Sequence, residues 1–156
     1  MNAKRFYMAA LLACMVLGAS AQISFSSKMG KVDGMTCMTV SKAFLKLNKD
    51  LKDDYMMGLT RLVDKLNNIQ CLNMDCNNGD LQQMVRSFKR VVAENHFEEL
   101  LTIDTNNDKA VIYYHDYGSN SHQYALLKEQ KSSVQIVVLT GSLTLHDIQD
   151  VMKKRK

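Results

Sequence analysis

The sequence predicts an α+β fold: a mainly antiparallel sheet of five to six strands ending in a C-terminal meander, with helices packed on the sheet. Three observations carry this. From Phe97 to Thr140, apolar residues recur at every second position in four segments joined by three short polar loops, which is the pattern of hairpin-linked strands. Just before them, Leu81, Met84, Val85, Phe88 and Val92 recur at helical spacing, giving an amphipathic helix that packs on something flat. The chain contains no proline, so every turn must come from Gly, Asn, Asp and Ser.

The elements follow in order. Met35 to Val40 is a short β-favouring run, and Ser41 is placed to cap a helix from Lys42 to Leu47 with Phe44 and Leu47 on one side. Asp50 to Asp54 resemble the start of a second helix, with Met56, Leu59, Leu62, Val63 and Leu66 as its apolar stripe. Asn67-Asn68 ends it, and Ile69 to Met74 read as a strand. Asn77-Asn78-Gly79-Asp80 supplies the turn and cap of the clear helix, whose polar side carries Arg86, Lys89, Arg90 and Glu94. The four-strand meander follows, and Thr144 caps a last helix with Leu145, Ile148, Val151 and Met152 inward.

Simple hairpin registers place Ile103, Ala110, Ile112, Tyr124, Leu126, Val137 and Leu139 on one face of the meander. The opposite face carries Leu100, Val111, Ala125, Leu127, Ile136 and Val138, so both faces are apolar. Antiparallel sheets commonly leave one face wet. This one needs helices on both sides or a partner on one.

The first twenty-one residues have the grammar of a secretory signal peptide. Lys4 and Arg5 precede an apolar run from Phe6 to Leu17, and Ala19-Ser20-Ala21 supplies the small residues of a cleavage site before Gln22. The run is shorter than the ~20 apolar residues that span a bilayer. Leu11-Leu12-Ala13-Cys14 approximates a lipobox, so a lipoprotein anchored to a membrane at Cys14 is the alternative. Residues 22–34 are polar and glycine-dotted without a clear period, and are expected to form a flexible arm. Residues 35–156 are then a single α+β domain, as the 135 residues left after the signal are too few for two ordinary domains.

Removing the signal lowers the net charge from +4 to +2. The surplus lies in Lys153-Lys154-Arg155-Lys156, which suits a helix C-terminus. An exported protein with that balance is not expected to bind nucleic acid. Cys37, Cys71 and Cys76 allow at most one internal bridge, and free thiols are slightly preferred over a Cys71–Cys76 bridge.

A β-run leads into Ser41-Lys42-Ala43-Phe44-Leu45, and Leu-Asn-Asn-Ile-Gln stands at Leu66 to Gln70. Phe97-Glu98-Glu99-Leu100-Leu101 and Leu-Thr-Gly-Ser-Leu-Thr-Leu-His-Asp-Ile at Leu139 to Ile148 follow. In this order they resemble a family of exported Bacteroidota proteins, domain of unknown function family 4252. The resemblance covers most of the mature chain, although no motif in it is chemically diagnostic. It implies a small extracytoplasmic domain, often a lipoprotein, with no assigned activity.

Few residues point to chemistry. Asp104-Thr105-Asn106-Asn107-Asp108 begins like a calcium loop, but Lys109 and His115 stand where glycine and a bidentate glutamate belong. An Asn/Asp-rich hairpin turn explains the same residues. His115 and His122 flank one hairpin beside Asp116, a conceivable weak metal site, whereas surface histidines near a turn are commoner. No nucleophile elbow, P-loop or dinucleotide glycine pattern occurs, and adjacent Glu98 and Glu99 face opposite ways on a strand. Tyr113, Tyr114, His115, Tyr117, His122 and Tyr124 gather around the same hairpin. They suit a recognition surface, or simply reflect strand composition.

The sequence therefore reads as a non-catalytic exported protein, periplasmic or envelope-bound, that binds an unknown protein partner or small ligand. The alternative is a hydrolase-type enzyme with a site not visible in the sequence. No cofactor or metal is expected. Interaction is expected at Tyr113, His115, Tyr117, His122, Leu127 and Ile136, and a homodimer through an uncovered sheet face is one form of it.

Overall fold

The computed structural model describes residues 22–47 and 59–153. The expected signal peptide, the lipobox at Cys14 and the start of the helix expected from Asp50 lie outside them. Six strands form one antiparallel sheet: β1 (Thr36–Ser41), β2 (Leu66–Asp75), β3 (Glu98–Asp104), β4 (Asp108–Asp116), β5 (His122–Gln130) and β6 (Ser133–Gly141). Their order is β1-β2-β6-β5-β4-β3. The meander is thus intact, and the β1–β2 pair is added beside β6. Helices α1 (Phe25–Met29), α2 (Lys42–Leu47), α3 (Leu81–Glu94) and α4 (Leu145–Lys153), with a 3-10 turn at Leu59–Leu62, pack on the sheet.

Both faces of the sheet are apolar, and helices lie on both. Val111, Ala125, Leu127, Ile136 and Val138 form one core with Phe25 and Met29 of α1 and Met84, Val85, Phe88, Val91 and Val92 of α3. Ile112, Tyr124, Val137 and Leu139 form the other with Leu45 of α2, Leu62, Val63, Leu143 and Ile148 of α4. Helix α3 begins where expected, because the Asp80 side chain accepts from the backbone N–H of Gln82 and Gln83 at 2.9 and 3.1 Å.

Several expectations are corrected. The arm expected over 22–34 holds helix α1, and Phe25 is fully buried there. Two buried carboxamides fix it. Gln70 accepts from the Phe25 N–H at 3.0 Å, and Gln123 donates to the Ile23 carbonyl at 2.9 Å and to Thr140 Oγ1 at 3.0 Å. The folded unit therefore starts before residue 35. In α2, Leu45 is buried while Phe44 and Leu47 are exposed; a six-residue helix gives too few turns for its sequence to define a face. Leu66 begins β2 instead of ending a helix, since an apolar residue at a helix–strand boundary fits either period.

Backbones cross closely beside α1. A Cβ on Gly34, at φ +85°, would lie 1.8 Å from the Asn78 carbonyl oxygen. Only glycine fits both that contact and that dihedral.

Cys37, Cys71 and Cys76 are all free. Cys71 sits mid-strand opposite Val137, and Cys76 follows the end of β2, so an extended strand separates them beyond bridging reach. Burial pushes the Cys71 thiol up, with a further push from nearby Cys37. Alkylation of denatured, unreduced protein is expected to label all three; two resistant cysteines would contradict this arrangement.

Helix α4 opens on a reciprocal cap. Asp147 accepts from the Thr144 N–H at 2.8 Å and hydroxyl at 2.9 Å, and its own N–H donates to Thr144 Oγ1 at 3.2 Å. Lys65 reaches the same carboxylate at 2.8 Å, tying α4 to the chain entering β2. Burial opposes ionisation of Asp147, but the hydrogen bonds from Lys65 and Thr144 prevail and hold its pKa at about 2 instead of 3.8. A depressed carboxylate stabilises the fold above its unfolded pKa, and this is lost as pH falls through the folded value. Asp147→Asn is expected to lower stability by about 1 kcal/mol near neutrality, as loss of a cap does. Denaturant titrations should show the gap between variant and wild type closing between pH 4 and 2; a gap independent of pH would contradict the assignment.

Candidate functional site

The strand order leaves two sheet edges, and they differ. Among the described residues, strand β3 pairs with β4 alone and β1 with β2 alone. Every residue of β3 is exposed. Leu101 and Ile103, each 44% exposed, pair with Ile112 and Ala110 and so extend the face that carries α2 and α4. Leu100, 39% exposed, sits where the register shifts between Glu99 and Leu101. Leucine and isoleucine left open on a strand with unpaired backbone groups make a template for another strand.

The charges along that edge are of one sign. Glu98 and Glu99 open β3 and Asp104 closes it. No ion pair among the described residues engages any of the three. Lys109 lies opposite Asp104 in the register, and Glu99 accepts a hydrogen bond from Thr102. Two copies of this edge would meet acid against acid, whereas a strand bearing Lys or Arg would be drawn in.

Behind the edge runs one apolar row across the whole sheet. Leu101, Ile112, Leu126, Val137, Cys71 and Met38 are successive register partners from β3 to β1. With strands about 4.8 Å apart the row is about 24 Å long. Its middle is buried at Ile112 and Val137, and its two ends are the exposed Leu101 and Met38. Below it, at the β1–β2–β6 end, lies an open polar cleft of about 310 Å³ lined by Thr36, Asn73, Asp75, Asn78, Gln130 and Gln135 among others.

The residues expected to interact are not one surface. Leu127 and Ile136 are fully buried under α1 and α3, so no partner reaches them in the folded domain. The sequence showed their face correctly, but not that the domain's own helices fill it. Tyr113 is buried and packs edge-on against Phe88 at 5.6 Å. His115 lies between Phe97 and Tyr117, at ring distances of 5.2 and 4.5 Å, and the Tyr117 hydroxyl donates to Gln123 at 2.8 Å. His122 contacts the Tyr114 hydroxyl at 3.0 Å and Asp116 at 3.4 Å. Because side chains alternate across a strand, Tyr113 and His115 lie on one face of the sheet and Tyr114, His122 and Tyr124 on the other.

The chemistry of this hairpin is mild. Burial, reinforced by Tyr114, Asp147 and Asp116, pushes Tyr124 up to about 12, and burial followed by Asp116 and Glu98 raises Tyr114. Neither phenol is a phenolate near neutral pH. No group of three His, Cys, Asp or Glu side chains among the described residues is placed to hold a metal ion. The turn at Asp104–Asp108 is tied by Thr105, whose hydroxyl and N–H both donate to the Asp108 carbonyl at 2.9 Å.

The β3 edge was missed in the sequence. Leu100, Leu101 and Ile103 were legible as strand residues, but their exposure depends on where β1 and β2 join the sheet, which no local pattern reports. No helix among the described residues is long and apolar enough to cross a membrane. No curated protein matches the chain. Residues 28–151 match the family described as Domain of unknown function (DUF4252), and with most of its length covered the chain belongs to that family.

Proposed function

We propose that this is an exported, non-catalytic binding module that takes up an extended segment of a partner protein along β3. The observation that carries the reading is the edge itself: seven exposed residues with open apolar side chains between acidic ends. Strand addition derives affinity from main-chain hydrogen bonds and specificity from alternate side chains. Leu101 and Ile103 would meet apolar residues of the incoming strand, and Glu98, Glu99 and Asp104 favour Lys or Arg at its ends. The partner is therefore a basic, β-favouring segment.

Export rests on the pattern of residues 1–21. Protein recovered from a bacterial envelope fraction should have the intact mass of a chain beginning at Gln22. A lipid-modified species beginning at Cys14 would place the module on a membrane instead and leave its binding role unchanged.

The binding reading is tested by selecting displayed peptides on the purified protein. Recovered peptides should carry apolar, β-favouring residues in the middle and Lys or Arg at the ends, and Leu101→Lys should weaken them at least tenfold with circular dichroism unchanged. Peptides of no common pattern, or binding indifferent to Leu101→Lys, would refute it.

A further inference from the structure

The second edge of the sheet is built differently, and we propose that β1 pairs with β1 of a second copy of this chain. Sheet proteins blunt their edges with charge, proline or bulges. Strand β3 has three acidic residues and a register shift. Strand β1 has none of these: Thr36-Cys37-Met38-Thr39-Val40-Ser41 is uncharged, and its register with β2 runs unbroken from Thr36 to Ser41. All but Val40 of its six residues are exposed, and Met38 is 55% exposed.

The occupant follows from the charges and the faces. A two-fold axis normal to the sheet, passing at Met38, brings two β1 strands together antiparallel and keeps each face on its own side. Met38 then lies opposite Met38 of the second copy, Cys37 opposite Thr39, and Thr36 opposite Val40. No charge faces a like charge within the paired strands. The nearest charges lie just beyond the paired strands and are engaged within their own chain: Asp33 pairs with Lys31 at 3.8 Å, and the Lys42 ammonium donates to the Asp64 carbonyl at 3.3 Å. Met38 is also the end of the apolar row, so the same pairing joins two rows into one across twelve strands. The acidic β3 edge, in contrast, repels its own copy and stays free for a different partner. Six residues a side is a small interface, which sets the dimer in the weak, micromolar class.

Sedimentation velocity over a concentration series tests this. Wild type should pass from monomer to dimer, and Met38→Lys, which sets two ammonium groups face to face, should raise the dissociation constant at least tenfold. Met38 is exposed, so circular dichroism and melting should not change. A Cys37→Ser, Met38→Cys, Cys71→Ser protein should cross-link between copies on mild oxidation, because its introduced thiols are directly opposed and Cys71, the register partner of Met38 within the chain, no longer competes. Native Cys37 should cross-link poorly, since its diagonal separation of about 7–8 Å exceeds disulfide reach. A wild type that stays monomeric throughout, a dimer unaffected by Met38→Lys, or one abolished by Leu101→Lys instead would overturn the proposal.

Discussion

Leu127→Asp is expected to unfold the domain. Leu127 is fully buried in the core under α1 and α3, and its register neighbours are Val111 and Ile136, both apolar. Among the described residues, no buried cation lies in that core to pair with the new carboxylate. An isolated buried charge carries a desolvation penalty of several kcal/mol or more, comparable with the whole stability of a domain this size. Leu127→Ala separates the charge from the lost packing: it should cost about 2–5 kcal/mol and leave a folded protein with a lower melting temperature. Circular dichroism and thermal melts of both variants check this. A folded Leu127→Asp protein would mean that the site is open to water.

Phe88→Ala should be the most damaging simple truncation, at about 3–5 kcal/mol. Phe88 is fully buried and holds three elements together. It stacks on Phe25 of α1 at 5.4 Å and 28° and meets Tyr113 of β4 edge-on at 5.6 Å and 64°. Removing the ring leaves a cavity between helix and sheet and releases α1. Urea unfolding should show the loss of stability, and amide exchange should show α1 losing protection first. Equal loosening of α1 and α4 would count against this linkage, since α4 packs on the other face.

What was legible in the sequence was local and periodic. Met84, Val85, Phe88 and Val92 declared α3 because four turns sample the helical period fully. Ile112, Leu126 and Val137 declared one sheet face because short turns leave little freedom of register. Thr144 marked the start of α4 as a capping residue, and its hydroxyl accepts from the Asp147 N–H there. What was not legible depended on partners distant in the chain. Phe25 is a single aromatic in a polar stretch, and its burial is fixed by Gln70 and Gln123, 45 and about 100 positions away. Leu127 and Leu101 look alike as strand leucines. One is core and the other is edge, because β2 joins β6 and leaves β3 at the rim. The aromatic hairpin was a true cluster in sequence, yet the sheet divides it between its two faces.

Strand addition at β3 is tested most directly by amide hydrogen exchange of the protein with and without an extended peptide that has Val residues in the middle and Lys at both ends. The β3 amides facing away from β4 should exchange quickly in the free protein and become protected with the peptide, while α3 and β6 are unchanged. Protection elsewhere, or none at peptide concentrations up to about 1 mM, the limit of weak binding, would contradict it.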